Sequence, residues 1–294
     1  MATEIFNYLK KLGLTSLETK KLYNSKTRDV DNLKVWRDEK SGVIFIDEYF
    51  TGKDTYISGL YRDEKVVQLK TGKPNFERKK DAERRFNSHL KYVADKNIID
   101  FGCGSGEFLK LVKPFCNEII GIELQKDYIN FLNSKNIKCI SNISSIENNS
   151  IDTIVSFHVI EHLPDPIKIL SELRVKLKSG GTIIIEVPHA NDFLLTYLKN
   201  ENFKNFTLWS QHLVLHTRES LNLTLIEAGY QNIQIYGTQR YPLSNHLNWL
   251  KNGKPGGHKS ILSEIDTENL SDAYEKALCK INATDTLVAI ANVS

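Results

Sequence analysis

The chain has 294 residues, of which 40% are hydrophobic and 26% are charged, and its net charge is +3. The length suits one large domain with an added subdomain, and the composition excludes disordered, coiled-coil and fibrous proteins. The near balance of 39 basic and 36 acidic residues gives no argument for a nucleic-acid partner.

Neither the amino terminus nor the interior contains a long apolar run. The first residues, MATEIFNYLKKLGL, lack an apolar stretch leading to a small-residue cleavage site, and no run approaches the ~20 residues that cross a bilayer. The four cysteines are Cys103, Cys116, Cys139 and Cys279, and they form no C-x-x-C pair. We therefore expect a cytoplasmic protein with reduced thiols and no membrane partner.

Residues 1–96 are expected to form two helices around a hairpin. In LKVWRDEKSGVIFID, the residues Lys40, Ser41 and Gly42 suit the turn. The segment 76–94 predicts a helix that leads into the first strand of a sheet. Its basic cluster is mixed with acidic residues, which favours a solvated helix face over a nucleic-acid patch.

Short β-branched runs then alternate with segments of helical period. They lie at 97–102, 118–124, 136–141, 150–157 and 181–188. Uninterrupted apolar runs suit strands covered on both faces, and the helical segments supply the crossovers of a parallel sheet. The middle of the chain therefore predicts a doubly wound α/β fold.

One connecting helix can be predicted in detail. Asp165 can cap it, Pro166 fits its first position, and leucines at helical spacing continue to Leu177 before Gly180 ends it.

The last third of the chain predicts one further helix, two strands and an insert. The helix is expected at 217–229 and the strands at 233–237 and 286–291. The insert between those strands, 238–284, mixes aromatic, basic and glycine residues in its first half. We therefore expect a binding surface there rather than a tight hairpin.

A glycine loop follows the first predicted strand, in IIDFGCGSGEF. Gly102, Gly104 and Gly106 come after Asp100 and let the backbone approach a ligand at the carboxyl end of the sheet. A dinucleotide loop needs a small residue where Glu107 stands, so this loop does not suit NAD.

The second predicted strand ends in an acidic residue, Glu123, 17 residues beyond Gly106. A carboxylate there accepts hydrogen bonds from both hydroxyls of a ribose. Loop and acid together predict a ligand that contains adenosine, rather than a glycine turn beside an unrelated surface glutamate.

With these motifs in this order, the chain resembles class I S-adenosylmethionine-dependent methyltransferases. IIDFGCGSGEF is similar to their cofactor loop, IIGIELQ to the acidic end of their second strand, and SIDTIVSFHVIEHLPDP to their fourth strand with its EHL turn. GGTIIIEVP is similar to their fifth strand, and QHLVLHTRESLNLTLIEAGY to the segment before their sixth. The resemblance covers roughly 76–237 and the final strand. It implies a seven-stranded, mostly parallel sheet whose last strand is antiparallel.

The resemblance also implies a division of the chain and a cofactor site. The expected parts are an amino-terminal extension at 1–75, a cofactor-binding core at 76–237, a substrate-binding insert at 238–284 and a last core strand at 285–294. The expected cofactor is S-adenosyl-L-methionine, and the residues expected around it are Asp100, Phe101, Gly102, Gly104, Gly106, Glu123, Leu124, Asn142 and Ile143. Leu124, Asn142 and Ile143 are expected around the adenine. Asn142 stands where the family more usually has an aspartate.

The stretch FHVIEHL, at 157–163, contains H-x-x-E-H, an order also used by one group of zinc peptidases. Those enzymes need the motif within one long helix, whereas here it starts where a strand ends and Pro164 follows at once. We expect His158, Glu161 and His162 at the carboxyl end of the sheet beside the methyl donor. They either take part in the chemistry or brace the turn through backbone hydrogen bonds.

A narrower resemblance suggests a metal. In O-methyltransferases of small-RNA ends and of ubiquinone synthesis, E-x-x-E-H after the fourth strand binds a divalent ion. By this resemblance His158, Glu161, His162 and His212 are candidate metal ligands, with His158 in place of the family's first glutamate. Without a metal, His158 or His212 is the candidate general base and His189 the reserve.

The expected acceptor is a small molecule and not a nucleic acid. Amino methyltransferases of nucleobases carry a polar-Pro-Pro-aromatic loop where this chain has SFHV, at 156–159. The insert and the extension resemble methyltransferases of bacterial sugar and surface-polysaccharide synthesis. Related sugar C-methyltransferases carry amino-terminal zinc cysteines that are missing here, which favours transfer to oxygen. The candidate residues for a sugar or phosphate-linked acceptor are Arg240, Tyr241, His246, Trp249, Lys254 and His258.

Two other classes remain open. An NAD-dependent sugar-modifying enzyme would need a Tyr-x-x-x-Lys pair or similar relay near the fourth strand, and a non-catalytic nucleotide-binding module would need no polar cluster beside the loop. The GKPGG segment of the insert also suits a merely flexible loop. The sequence indicates no oligomeric state.

Overall fold

The computed structural model describes residues 4–47, 49–58 and 76–294. The strands are β1 Lys20–Asn24, β2 Val35–Asp38, β3 Ile44–Phe45, β4 Asn97–Phe101, β5 Glu118–Ile122, β6 Cys139–Ile140, β7 Ile151–Phe157, β8 Leu177–Pro188, β9 Val214–Leu215, β10 Gln231–Thr238 and β11 Thr286–Asn292. The described α-helices are α1 Ile5–Lys11, α2 Lys53–Ser58, α3 Phe76–Val93, α4 Glu107–Val112, α5 Lys126–Ser134, α6 Pro166–Arg174, α7 Phe193–Thr196, α8 Glu201–Thr207, α9 Arg218–Glu227, α10 Leu243–Asn252 and α11 Glu268–Lys280. Short 3₁₀ turns occur at Lys113–Phe115, Ile143–Ser145, Ile160–His162, Gly257–Lys259 and Ile261–Ile265.

The larger sheet has seven strands in the order β10-β11-β8-β7-β4-β5-β6. The strands from β8 to β6 are parallel, whereas β11 is antiparallel to both β8 and β10. The predicted doubly wound, mostly parallel sheet with an antiparallel last strand is therefore confirmed. Chain order reverses at β4, and in such sheets ligands bind at the carboxyl ends of the strands beside that point.

Both faces of this sheet are buried. Ile99 and Ile185 pack into one apolar cluster, whereas their neighbours Ile98 and Ile184 pack into the cluster on the opposite face. Side chains that alternate between two covered faces explain why the strands have uninterrupted apolar sequences. Each fully buried isoleucine contributes about 1.5–3 kcal/mol.

The predicted α6 begins as expected and ends earlier. The Asp165 carboxylate accepts a hydrogen bond from the Lys168 amide at 3.1 Å, and Pro166 takes the first position. The helix stops at Arg174, so the prediction that it continues to Gly180 was wrong. Leu177 instead opens β8, and Gly180, with φ +73°, lies where the register of β8 against β7 shifts.

The predicted hairpin in the amino-terminal region is confirmed, and its sheet has two additional strands, β1 and β9. Strands β2 and β3 pair antiparallel, and the Asp38 side chain accepts hydrogen bonds from the turn amides of Lys40 and Ser41 at 2.9 Å. The sheet order is β1-β2-β3-β9, with Ile44 opposite Leu215. The fourth strand, β9, therefore comes from a segment that is distant from the hairpin in the sequence.

Helix α3 differs from the expected solvated face. Lys79, Lys80 and Glu83 are exposed, but Arg84 and Arg85 turn toward the sheet. Among the described residues, no helix is both long and apolar enough to span a bilayer.

Candidate active site

A cavity of about 1440 Å³ opens at the carboxyl edge of the seven-stranded sheet. Its wall contains the glycine loop after β4, the end of β5, the turn after β7, the end of β8 and part of the insert. Typical small-molecule sites measure about 300–1,000 Å³, so this cavity has room for two ligands.

The glycine loop requires glycine at more than one position. Gly102, Gly104 and Gly106 have φ values of +80°, +54° and +75°. A Cβ at Gly102 would stand 2.3 Å from Val159 Cγ2, and one at Gly106 would stand 2.4 Å from Leu132 Cδ2. Side chains here would strain the backbone and displace the packing that holds the loop against the sheet.

Glu123 is buried at the end of β5 and is held by backbone amides. Its Oε2 accepts from Gly104 N at 2.9 Å, and its Oε1 accepts from Leu124 N at 2.7 Å and Gln125 N at 3.0 Å. The carboxylate thus joins the glycine loop to the strand end and lies on the cavity wall. Its remaining lone pairs suit the two hydroxyls of a ribose.

Asp100 is 4% exposed at the carboxyl end of β4 and lies on the cavity wall. Its carboxyl makes no hydrogen bond within the described ranges. Burial raises its pKa to about 7, against the lowering effect of Arg85, and the charge of Glu123 adds to the rise. A cationic ligand would restore the ionised carboxylate.

Eight of the nine predicted cofactor residues lie on the cavity wall, namely Asp100, Phe101, Gly102, Gly104, Glu123, Leu124, Asn142 and Ile143. Gly106 lies behind the loop against α5. The Asn142 Oδ1 accepts from Ser144 N at 2.9 Å, so this side chain also caps the 3₁₀ turn that follows β6.

The turn after β7 brings its polar residues toward the same edge. His158 has φ +56°, and its amide donates to the Glu186 carbonyl at 2.8 Å. Its ring stands between two buried carboxylates: Nδ1 is 3.3 Å from Glu161 Oε1, and Nε2 is 3.1 Å from Glu186 Oε1. His158 therefore connects the turn to the end of β8.

Glu161, His162 and His212 converge. The Glu161 side chain is fully buried, and within 4–47, 49–58 and 76–294 neither of its oxygens has a hydrogen-bond partner. His162 Nδ1 donates to the Gln211 carbonyl at 2.7 Å, and its Nε2 lies 3.8 Å from Glu161 Oε1. One ligand atom from each of the three residues lies within 4.8 Å of the others. Of the four predicted metal ligands, the structure thus groups three, and His158 lies beside them.

Burial and neighbouring imidazoles together set the protonation of Glu161 and His212. Burial raises the pKa of Glu161, but the His162 and His158 imidazoles outweigh it and hold that pKa at about 2. Burial lowers the pKa of His212 to about 3, so this imidazole is neutral and adds little to the effect on Glu161. A carboxylate beside a neutral imidazole has the protonation that metal ligands require.

Glu186 is a buried acid that the sequence interpretation missed. It accepts from Arg84 Nη2 at 2.8 and 2.9 Å and from Arg85 Nε at 3.1 Å, besides its contact with His158. Arg85 also lies 4.5 Å above the Phe157 ring. A lone glutamate inside the apolar run GTIIIEVP was the available signal.

His189, the reserve base, lies outside the cavity wall. Its Nδ1 donates to the Thr284 carbonyl at 2.9 Å, and its backbone bridges to His216. Burial lowers its pKa to about 4.

Five of the six predicted acceptor residues lie on the cavity wall: Arg240, Tyr241, His246, Trp249 and His258. Lys254 is exposed and lies off the wall. The GKPGG segment is docked on α10 rather than free, because the Gly256 amide donates to Asn245 Oδ1 at 2.9 Å. A Cβ at Gly257 would meet the Ser244 carbonyl oxygen at 1.9 Å.

The basic acceptor candidates already have acidic partners on α3. Arg240 pairs with Asp81 through two hydrogen bonds, of which that from Nε measures 3.1 Å. His258 Nε2 lies 3.1 Å from Glu77 Oε1. These contacts join the insert to the first turns of α3.

The sequence interpretation also missed two acids on the cavity wall, Asp192 and Asp285. Asp285 accepts from the backbone amides of Arg240 and Tyr241 at 3.0–3.1 Å. Asp192 is 4% exposed and caps α7. Burial raises the pKa of Asp192 to about 8, and the Asp285 charge adds to this. The cap sequence ANDFLL was the available signal for Asp192.

The fold is shared with known enzymes. A SAM-dependent methyltransferase from Archaeoglobus fulgidus is 20% identical, with a TM-score of 0.52 over 77% of this chain and 98% of that one. At this identity the likeness shows the fold alone.

Curated relatives match part of the chain. The tRNA U34 carboxymethyltransferase of Alteromonas mediterranea is 23% identical over 212 residues, which are 65% of this chain and 60% of that protein. The enzyme of the same name from Campylobacter fetus is 32% identical over 127 residues, or 37% and 45% of the two chains. The matches thus span about half the length of these relatives.

The family model described as "Methyltransferase domain" matches residues 75–235, more than half of the chain. This match, together with the shared fold, sets aside the NAD-dependent and non-catalytic alternatives. The chain therefore belongs to the methyltransferase domain family and is a class I S-adenosylmethionine-dependent methyltransferase.

Proposed function

We propose that this methyltransferase acts on an oxygen atom of a small, sugar-containing acceptor, and that Glu161, His162 and His212 hold a divalent metal ion beside that acceptor. The supporting observation is the Glu161 carboxylate, which is fully buried and has no hydrogen-bond partner for either oxygen among the described residues. The imidazoles of His158 and His162 lie 3.3 and 3.8 Å from this carboxylate, but a buried carboxylate that accepts no hydrogen bond is still costly, so the arrangement suits a further cation.

The donor set fits such an ion. One carboxylate and two imidazoles suit a transition metal and leave positions open for other ligands. The hydrogen bond from His162 Nδ1 to the Gln211 carbonyl fixes the ring orientation, as hydrogen bonds to ligating histidines do in metal sites. A metal bound there would polarise an acceptor hydroxyl and lower its pKa.

The metal-free candidates for a general base are less suitable, and for His212 the reason is that burial lowers its pKa to about 3. Both ring nitrogens of His158 face carboxylates, Glu161 and Glu186, so neither is directed at an acceptor. His189 lies off the cavity wall. We assign His158 the role of orienting the Glu161 carboxylate.

The remaining roles follow from the sheet. S-adenosyl-L-methionine supplies a methyl group on a positively charged sulfonium when it is bound. In this proposal the glycine loop positions the cofactor, Glu123 holds its ribose, and Asp100 faces its positive charge. The core at 76–237 thus binds the cofactor, and the insert at 238–284 covers the acceptor.

The metal is tested by binding as well as turnover. Calorimetric titration of Mn²⁺ into chelator-treated protein is expected to show one site per chain, weakened at least tenfold by Glu161→Gln or His212→Gln. His189→Gln is the matched control and should bind Mn²⁺ as the wild type does. Absence of a Mn²⁺ or Mg²⁺ site in the wild type, or wild-type affinity in both cluster variants, would contradict the metal assignment.

A second candidate acceptor comes from the relatives. The chain is similar to proteins named tRNA U34 carboxymethyltransferase, and this similarity conflicts with our expectation that no nucleic acid is bound. It favours a tRNA uridine as the alternative acceptor. Labelled S-adenosyl-L-methionine should be incubated in parallel with nucleotide-linked sugars and with total tRNA. Label in the sugar fraction supports our proposal, and label in tRNA replaces the small acceptor with a nucleic acid. The association with surface-polysaccharide synthesis depends on the same result.

A further inference from the structure

We propose that the acceptor carries an amino group and that Asp192 binds it as an ammonium ion. This inference rests on the proposed function, because it concerns the acceptor of the same cavity. It is carried by the position and hydrogen bonding of one buried carboxyl.

Asp192 directs one oxygen to the protein and leaves the other without a partner. Its Oδ1 accepts from Leu194 N at 2.7 Å and from Leu195 N at 3.2 Å, which caps α7. Its Oδ2 has no hydrogen-bond partner anywhere in the described part of the chain, although the residue is 4% exposed and lies on the cavity wall. An acceptor atom on the cavity wall without a partner from the described residues is available to a proton donor from a ligand.

The surroundings favour a cationic donor. Within the described residues, all donors to Asp192 and Asp285 are neutral groups, chiefly backbone amides, and the Arg240 guanidinium is engaged by Asp81. Neither carboxyl forms an ion pair with a described cation, although the Arg240 charge acts on Asp285 from its pair with Asp81. Burial and the Asp285 charge raise the pKa of Asp192 to about 8, which is the response of a carboxyl that lacks a positive partner.

The rings beside this end also suit a cation. His246 and the buried Trp249 lie on the cavity wall, and Phe193 stacks behind His246 with ring centroids 6.0 Å apart. Aromatic faces attract ammonium groups, and they also stack on sugar rings. An amino sugar satisfies both features.

The sheet separates the strand before Asp192 from the strand before the glycine loop. Asp192 follows β8, and β8 is separated from β4 and its glycine loop by one strand, β7. Two strand spacings amount to about 10 Å. We therefore assign the amino group to recognition and leave the hydroxyl beside the glycine loop as the methylated group.

The experiment compares amines with matched alcohols. Glucosamine and glucose, and ethanolamine and ethylene glycol, are titrated into the protein saturated with S-adenosylhomocysteine. We expect each amine to bind at least tenfold more tightly than its alcohol, as a charge-assisted hydrogen bond implies. Asp192→Asn should abolish this preference, and the exposed control Asp31→Asn should retain it.

The outcomes separate this inference from the proposed function. S-adenosylhomocysteine binding is measured first in every sample. If the wild type did not bind it, the methyltransferase assignment itself would be contradicted. If the cofactor product binds but amines and alcohols bind equally, or neither binds, Asp192 does not recognise an amino group. Survival of the preference in Asp192→Asn would also overturn the inference.

Discussion

Replacing the buried Asp100 by asparagine should stabilise the ligand-free protein and weaken cofactor binding. The carboxyl is 4% exposed, and its pKa is about 7 instead of the usual 3.8, because burial disfavours its charged form. A raised pKa means that the folded state holds the proton more tightly than the unfolded state. The contribution of Asp100 to stability is therefore full below pH 3.8, is lost as the pH rises toward 7, and stays lost above it.

The size of the effect follows from the shift. A difference of about three pKa units corresponds to a penalty of about 4 kcal/mol at pH 8, and to less than half of that at pH 5. Asparagine carries no charge, so Asp100→Asn should raise the free energy of unfolding of the ligand-free protein at pH 8 by an amount of this order. The gain should shrink at pH 5.

Cofactor binding should respond in the opposite direction. A carboxylate facing the positive charge of S-adenosyl-L-methionine contributes about 1.5–3 kcal/mol, so Asp100→Asn should weaken its binding at least tenfold. Binding to the wild type near pH 7 should release protons, which calorimetry in two buffers of different ionisation enthalpy detects.

Urea unfolding at pH 5 and pH 8 and calorimetric titration measure both effects. The exposed Asp127→Asn serves as control and should change neither. The reasoning fails if Asp100→Asn is no more stable than the wild type at pH 8, or if the difference between the two proteins is the same at both pH values.

Three further predictions concern stability and the loop. Gly106→Ala should lose cofactor binding and cost about 2 kcal/mol or more beyond Gly180→Ala, which has a similar φ but open space, and equal losses would contradict the packing argument. Arg85→Met should cost about 3 kcal/mol by urea unfolding, with part recovered on adding Glu186→Gln, and a purely additive double variant would exclude coupling. Thr217→Ala should cost about 1 kcal/mol by removing the cap of α9, and an unchanged unfolding midpoint would argue against the cap.

The fold could be predicted because its signals are local. Strands such as Asn97–Phe101 are apolar throughout since both faces are covered, and the connecting helices carry caps such as Asp165 that can be recognised in sequence. The end of α6 could not be predicted in the same way. Leu177 has the spacing of the helix and also the burial of the strand, and tertiary pairing with β7 decides between them.

The candidate site was predictable where one short segment supplies the geometry. The glycine loop and Glu123 belong to adjacent strands, and their spacing in the chain reports their proximity. The contacts of Glu186 join residues 101 and 102 positions apart, and those of Asp81 with Arg240 join residues 159 apart. No local pattern in the sequence records such pairs. Only the folded chain shows that Arg240 is paired with Asp81 and that one oxygen of Asp192 has no partner among the described residues.

The strip at residues 211–215 has a consequence for engineered chimeras. One side of it supports the turn after β7, because Leu213 N donates to the Glu161 carbonyl at 2.8 Å. Its other side pairs with β3, where Ile46 N donates to the Leu213 carbonyl at 2.9 Å. Exchanging the first segment of the chain for that of another methyltransferase would leave β9 as a bare edge strand directly beside His212. A graft must therefore transfer β3 and residues 211–215 together.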